Sequence, residues 1–235
     1  MADLLLIHGS CHGAWCWRDV IPALAALGHE ARAIDLPSHG QDGTPAEKVT
    51  LEGYARAILA AIDRPVTLVG HSMAGFPITL AAERAPEKIA RLVYLCAYVP
   101  VPGLSLAEMR RAAPRQPLLP AIEMAPDGVT FSFRPGMVAE KLYHDCPAEA
   151  VDFALAHLGP QPVAPQATPI AALDRWAGVE KHYILCEQDR AIPPEYQATI
   201  SAGFPPGHVT RLPRSHSPFF ADPAGLARRL DEIVS

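Results

Sequence analysis

No run of lysine or arginine occurs anywhere in this 235-residue chain, whose formal net charge is -5. Without a basic face there is little to neutralise phosphates, so no nucleic-acid partner is expected. Cysteine is sparse as well: Cys11, Cys16, Cys96, Cys146 and Cys186 are odd in number and lack both C-x-x-C pairs and metal-ligand spacing. They read as reduced, mostly packed thiols of a cytosolic protein, and no metal site is expected of them. No segment approaches the length that crosses a bilayer, so no membrane partner is expected either. Leu4 to Ile7 is too short for a signal-peptide core and no basic leader stands before it, so the expected location is cytoplasmic. Internal repeats and low-complexity tracts are absent.

What is present is apolar side chain, 49% of the total, enough for a sizeable core. One domain over residues 1–235 is expected. Its organising stretch is Val66 to Ala85, VTLVGHSMAGFPITLAAERA. Val66 to Val69 has the length and composition of a buried strand, and Ala74 to Ala85 reads as a helix with an apolar face. A serine at the sharp turn between them cannot bury its hydroxyl in either element, so Ser72 projects from the carboxyl edge of the sheet as a nucleophile elbow. The usual G-x-S-x-G pattern is altered, with Ala74 in the fifth position and the second glycine at Gly75. Pro77 is tolerated because the first turn of a helix has N–H groups without intrahelical partners.

Along the chain, Asp3 to Ile7 reads as a strand, Ala14 to Leu27 as a helix ended by Gly28, and Glu30 to Ile34 as a second strand. A helix follows over Thr50 to Ile62, capped by Thr50, then the elbow, then a strand over Ile89 to Leu95. Alternation of strand and helix predicts an α/β class fold, a mostly parallel sheet with helices on both faces. The alternation stops at Pro100 to Pro169, which holds twelve of the 25 prolines, too many for central strands. This predicts a small helical cap, about 100–169, inserted after the strand ending near Leu95, with the core formed by 1–99 and 170–235. Within the cap, Gly136 to Asp145 and Ala148 to Leu158 have helical spacing, and Gln161 to Pro169 reads as an extended connection. Strands over Lys181 to Cys186 and His208 to Leu212, with helices over Pro194 to Ala202 and Pro223 to Val234, complete the core.

A hydroxyl is a poor nucleophile at neutral pH, so Ser72 needs a base, and the base needs an acid to hold its tautomer. On this topology the order is serine, acid, histidine. His216 lies in the loop after the last strand and is the expected base. His182 and His208 sit at strand starts, His144 and His157 in the cap, and His29 and His39 read as solvent or turn residues. Asp189, just beyond the strand ending at Cys186, is the expected acid; Glu187 is its local competitor, and Asp35 ends a strand before the serine. The oxyanion of an acyl-transfer intermediate needs backbone donors from the residue after the nucleophile and from the loop after the first strand, here Met73 and Ser10. Gly9, His71 and Ser217 are expected to wall the pocket beside Met73. Phe131, Phe133, Leu104 and Met109 are cap residues placed to line the cavity or, as the first reading of any one of them, to pack the cap, and Trp15 and Trp17 read as helix packing.

The run from His8 to Trp17, HGSCHGAWCW, with Gly28-His29, Asp35-Leu36, Gly70 to Gly75, Lys141-Leu142-Tyr143, Asp189 to Pro193 and His216, resembles the hydroxynitrile lyase and plant methylesterase branch of the α/β-hydrolase superfamily over nearly the whole chain. The resemblance implies a Ser72, Asp189, His216 triad, oxyanion donors at Ser10 and Met73, a small capped apolar cavity and no cofactor. Lyases of that branch carry threonine at the position of Gly9 and lysine at that of Ser217, and the lysine charge would stabilise departing cyanide. Gly9 matches the esterase side, and Ser217 matches neither side. The expected function is a serine carboxylesterase acting on small, fairly apolar esters through an acyl-enzyme. The alternatives are a cyanohydrin lyase, a small-ligand receptor on a hydrolase scaffold, or another reaction of the superfamily such as carbon–carbon hydrolysis. The expected partner is a small-molecule ester, with a homodimer left open.

Overall fold

The computed structural model describes residues 1–235. Its first half runs β1 (Asp3–Ile7), α1 (Val20–Ala26), β2 (Glu30–Ile34), α2 (Leu51–Ala60), β3 (Val66–His71), α3 (Gly75–Arg84) and β4 (Ile89–Leu95). The helix expected over Ala14 to Leu27 is broken: Ala14–Trp17 forms a 3-10 turn, and only Val20–Ala26 is α-helical before Gly28, at φ +87°, ends it. Thr50 caps α2 through its hydroxyl, which accepts from Gly53 N–H at 2.9 Å.

Between β4 and β8 the chain forms α4 (Leu106–Ala112), β5 (Ile122–Met124), β6 (Thr130–Phe133), α5 (Pro135–Leu142), α6 (Ala148–His157), β7 (Gln161–Pro162) and α7 (Ala164–Ala167). The expectation of a purely helical cap is therefore corrected. β5, β6 and β7 make a three-stranded antiparallel sheet, and Gln161 to Pro169 includes a strand and a short helix rather than one extended connection. Strands of two to four residues are too short for alternation to register as a pattern. Pro162 is tolerated because β7 pairs with β6 alone and lies at the sheet edge. The chain closes with β8 (Lys181–Cys186), α8 (Pro194–Ile200), β9 (Val209–Leu212), α9 (Pro218–Ala221) and α10 (Pro223–Val234). The short α9 has no counterpart in the sequence reading.

The main sheet has six strands in the order β2-β1-β3-β4-β8-β9, every neighbouring pair parallel. Its central strands are apolar throughout because both faces are covered. Alternate residues feed opposite cores: Leu5, Ile7, Leu92 and Tyr94 join one with α2 and α3, while Leu4, Leu6, Val93 and Leu95 join the other with α1 and α10. The strand order reverses between β1 and β3, the crevice where open α/β sheets place their ligands. No helix is long and apolar enough to cross a membrane.

Candidate active site

β3 ends at His71, and the next residue, Ser72, has φ +56°. A left-handed backbone at a residue with a side chain costs on the order of 1–3 kcal/mol and persists only where the surroundings enforce it. Here they do. A Cβ on Gly75 would fall 1.9 Å from the Tyr98 carbonyl oxygen, and one on Gly70 would fall 2.7 Å from Ile78 Cδ1. The shift of the second glycine to position 75 thus has a cause: that residue, not Ala74, is pressed against the chain leaving β4. Tyr98 N–H donates to the Ser72 carbonyl at 3.1 Å and ties the turn to the same segment. Pro77 lies in the first turn of α3, where its missing N–H leaves no bond unmade.

Asp189 and His216, 27 residues apart, meet at 2.7 Å between Oδ2 and Nδ1. Oδ2 also accepts from Gln197 Nε2 at 2.8 Å, and Oδ1 accepts from the N–H groups of Ala191 at 2.7 Å and Ile192 at 2.9 Å. A carboxylate facing four donors has no proton to give, so Nδ1 carries the imidazole proton and Nε2 keeps its lone pair. Glu187 is exposed and faces Arg211, while Asp35 accepts from Ala14 and Gln41 N–H, a structural task. The Ser72 hydroxyl makes no hydrogen bond within the chain, to His216 or to any other residue. Gln197, completely buried on α8, also accepts from Cys186 N–H and donates to the Ile192 carbonyl. Its only signal in the sequence is a polar residue beside the apolar Tyr196.

The rim beneath Ser72 is rich in histidine. Leu36 N–H donates to His8 Nε2, which leaves Nδ1–H to donate to the Gly9 carbonyl at 2.9 Å. His12 Nδ1–H donates to the Ser10 carbonyl at 2.7 Å, and its Nε2 accepts from the Tyr143 hydroxyl at 2.7 Å. His71 Nε2–H donates to the His216 carbonyl at 2.8 Å, and its Nδ1 is buried without a partner. Burial is the main cause that drives these three basicities down: His12 is lowered to about 4, and His8 and His71 fall well below the usual histidine value. All three are neutral. The solvent half of one expectation is corrected. His39 does lie in a turn, its N–H bonded to the Leu36 carbonyl, but it is buried and bonded to Gln161, and His29 is buried between Ala2 N–H and Asp231, because loop residues can fold back under distant elements.

His71, Cys96 and His216 bring possible ligand atoms within 4.8 Å of one another. Burial holds the Cys96 thiol protonated and it donates to the His216 carbonyl at 3.5 Å, so the cluster offers two neutral imidazole lone pairs and no anionic ligand.

Ser10, Ser72 and Met73 open on one small cavity of about 30 Å³. Its opposite wall includes Phe131, Phe133 and Ile122, so the two phenylalanines are cavity wall and not cap packing alone. Met109 is packed in the core and Leu104 is exposed, as a packing role requires of the first only. Gly9, His71 and Ser217 are buried, and neither they nor Asp189 and His216 are among the residues that line this small cavity. A Cβ on Gly9 would lie 2.6 Å from His71 Nδ1 and 3.0 Å from Ser72 Cβ, so Gly9 is pressed directly against both side chains. Gln166, which the sequence did not single out, reaches down from α7 and donates to Ser10 Oγ at 2.8 Å. A larger depression of about 370 Å³ lies between α2, α3 and residues 168–172, away from these groups.

A serine on a strained strand-to-helix turn of an all-parallel sheet, with a buried Asp–His pair in the loops after later strands of that sheet, is an arrangement of the α/β-hydrolase class. The chain matches the alpha/beta hydrolase family over residues 4–229 and belongs to it. It is 32% identical to methylesterase 4 of Arabidopsis thaliana over 98% of this chain and 95% of the relative. It is 33% identical to esterase PIR7B of Oryza sativa subsp. japonica, over 88% of this chain and 86% of the relative. Among solved structures it superposes on a pyrethroid hydrolase from Sphingobium faniae JZ-2 with a TM-score of 0.85 and 29% identity, covering 99% of this chain and 96% of the other.

Proposed function

We propose that this ester-hydrolysing member of the family acts on small, fairly apolar carboxylic esters through an acyl-enzyme on Ser72. His216 Nε2 takes the hydroxyl proton as Ser72 Oγ attacks the carbonyl carbon, and returns that proton to the departing alcohol. Water, deprotonated by the same nitrogen, then releases the acid and restores the serine. Asp189 holds the tautomer and stabilises the imidazolium formed in between. The N–H groups of Ser10 and Met73 receive the oxyanion, each contributing about 3 kcal/mol to lowering the barrier.

The observation that carries this reading is the Asp189–His216 bond at 2.7 Å, with every acceptor position of the carboxylate occupied, in a sheet whose β3 ends at a serine held at φ +56°. The Ser72–His216 hydrogen bond is the contact still to be made, and such bonds commonly tighten only once substrate is bound. A cavity of about 30 Å³ has room for about one water, so binding an ester at Ser72 would require its wall to give. Mass spectrometry of the protein quenched during turnover of p-nitrophenyl acetate should find an acetyl group on the Ser72 peptide. Acetylation elsewhere only, with full turnover, would remove Ser72 from the mechanism. Ser217, buried and uncharged, supplies no cation for a departing cyanide, so mandelonitrile should be cleaved far more slowly than an ester.

A further inference from the structure

Among the residues that line the cavity with Ser72, one is charged: Arg110. It stands one turn after Leu106 on α4, and Leu106 lines the same cavity, so the helix presents both from one face. Its Nε is buried without a hydrogen-bond partner, and neither an acceptor nor a carboxylate of the chain engages the guanidinium. The groups that act on its charge are the Tyr98 hydroxyl and Arg111, neither of them an acid that pairs with it. Arg115, five residues on, shows the contrast by making a two-pronged pair with Glu195.

A guanidinium presents five N–H donors, accepts nothing and keeps its charge. Holding one half-buried and unpaired in an otherwise apolar wall costs free energy that leucine or methionine there would not cost. Such a cost is offset when a bound partner brings the missing acceptors. The wall next to it is apolar (Leu118, Ile122, Phe131, Phe133), so the partner is an ester with a carbon skeleton and one anionic end.

We propose that Arg110 is the specificity-determining residue of this pocket, pairing with a carboxylate carried by the ester, so that anionic esters are the preferred substrates. The carboxylate sits either on the acyl part, as in a half-ester of a short dicarboxylic acid, or on the alcohol part, as in an acyl ester of a hydroxy acid. The proposal rests on the serine-esterase reading and goes beyond it by naming the substrate class. Specificity of this kind arises because the neutral analogue leaves the site's buried donors unpaired.

The test measures kcat/KM for two matched pairs, monomethyl against dimethyl glutarate and 4-acetoxybenzoate against phenyl acetate, in the wild type, Arg110→Met and Arg110→Lys. The wild type should favour the anion about tenfold or more in one pair, and which pair it is locates the carboxylate on the acyl or the alcohol side. Arg110→Met should erase or invert that preference through KM, and Arg110→Lys should keep part of it. Because Arg110→Met removes an unpaired charge, its melting temperature should equal or exceed that of the wild type. If it fails to fold, Arg110→Gln replaces it in the same comparison. Hydrolysis of the neutral esters with no gain from a carboxylate, or a preference that survives in Arg110→Met, overturns the assignment while leaving the esterase intact. No ester turnover in the wild type overturns both.

Discussion

Beneath Ser72, the sheet's carboxyl rim holds His8, His12, His71 and His216 with their protons assigned by fixed partners, and six of their eight ring nitrogens are hydrogen-bonded. Above it, the cap segment lines the cavity with aromatic and aliphatic side chains and one unpaired guanidinium, and is anchored to the rim around that wall by directional bonds of its own. Gln166 donates to Ser10, Gln161 bonds Cys11 N–H and His39, Tyr143 donates to His12, and Asp145 accepts from Ser215 N–H. Chemistry requires groups placed to within a fraction of an ångström, which networks of directional bonds provide. Binding an apolar skeleton requires shape and some give, which non-directional packing provides. The rim is built for reaction and the cap for selection.

The contrast breaks most sharply if the rim can be altered without loss of turnover. Ser72→Ala should lower kcat on p-nitrophenyl acetate by about 10⁴-fold or more, whereas retention of most of the activity would place the chemistry elsewhere. Asp189→Asn should cost about 10³-fold or more with little change in KM, because the amide can stabilise the wrong tautomer of His216. A loss confined to KM would move Asp189 from catalysis to binding.

Acid should strike the rim through its neutral histidines. An unfolded histidine titrates near 6.5, while burial holds His8, His12, His39 and His71 lower when folded, with His12 at about 4. Below pH 6.5 the unfolded chain therefore binds protons that the folded one refuses, and stability declines as pH falls toward the folded values. The slope is about 1.4 kcal/mol per pH unit for each such group, so urea unfolding at pH 7 and pH 5 should differ by several kcal/mol. Equal stability at the two values would show that these rings titrate freely.

Gly75→Ala sharpens the elbow's side of the comparison. A methyl group 1.9 Å from the Tyr98 carbonyl must displace backbone, and the variant should lose about 2 to 3 kcal/mol in denaturant unfolding. Mildest of all should be Gln166→Ala, which cuts one tie between cap and rim: a change of a few-fold in kcat/KM, with unchanged stability. A loss as large as that of Asp189→Asn would show that the cap takes part in the chemistry and would dissolve the distinction.

Legibility in the sequence follows the same division. The core strands and the helices over α2, α3 and α10 were readable because their apolar periods lie within ten or so neighbouring residues. Asp189 and His216 were found by position after strands, a rule of topology rather than of local pattern. The three-stranded cap sheet was not, since strands of two to four residues amid prolines carry no period. That His39 sits in a turn was legible, but its burial was not, because nothing near it in sequence reveals Gln161, 122 positions away.

The amino-acid order alone determined the alternation of strand and helix, the elbow at Ser72 and the chain order of its expected partners, since each depends on neighbours a few bonds away. Tertiary structure alone decided which ring nitrogens carry protons, which glycine the elbow needs, that Gln197 steadies the acid, and that Arg110 faces the cavity unpaired. Those are properties of atoms brought together from far along the chain, and burial and hydrogen bonding act on distance in space, which no local pattern encodes.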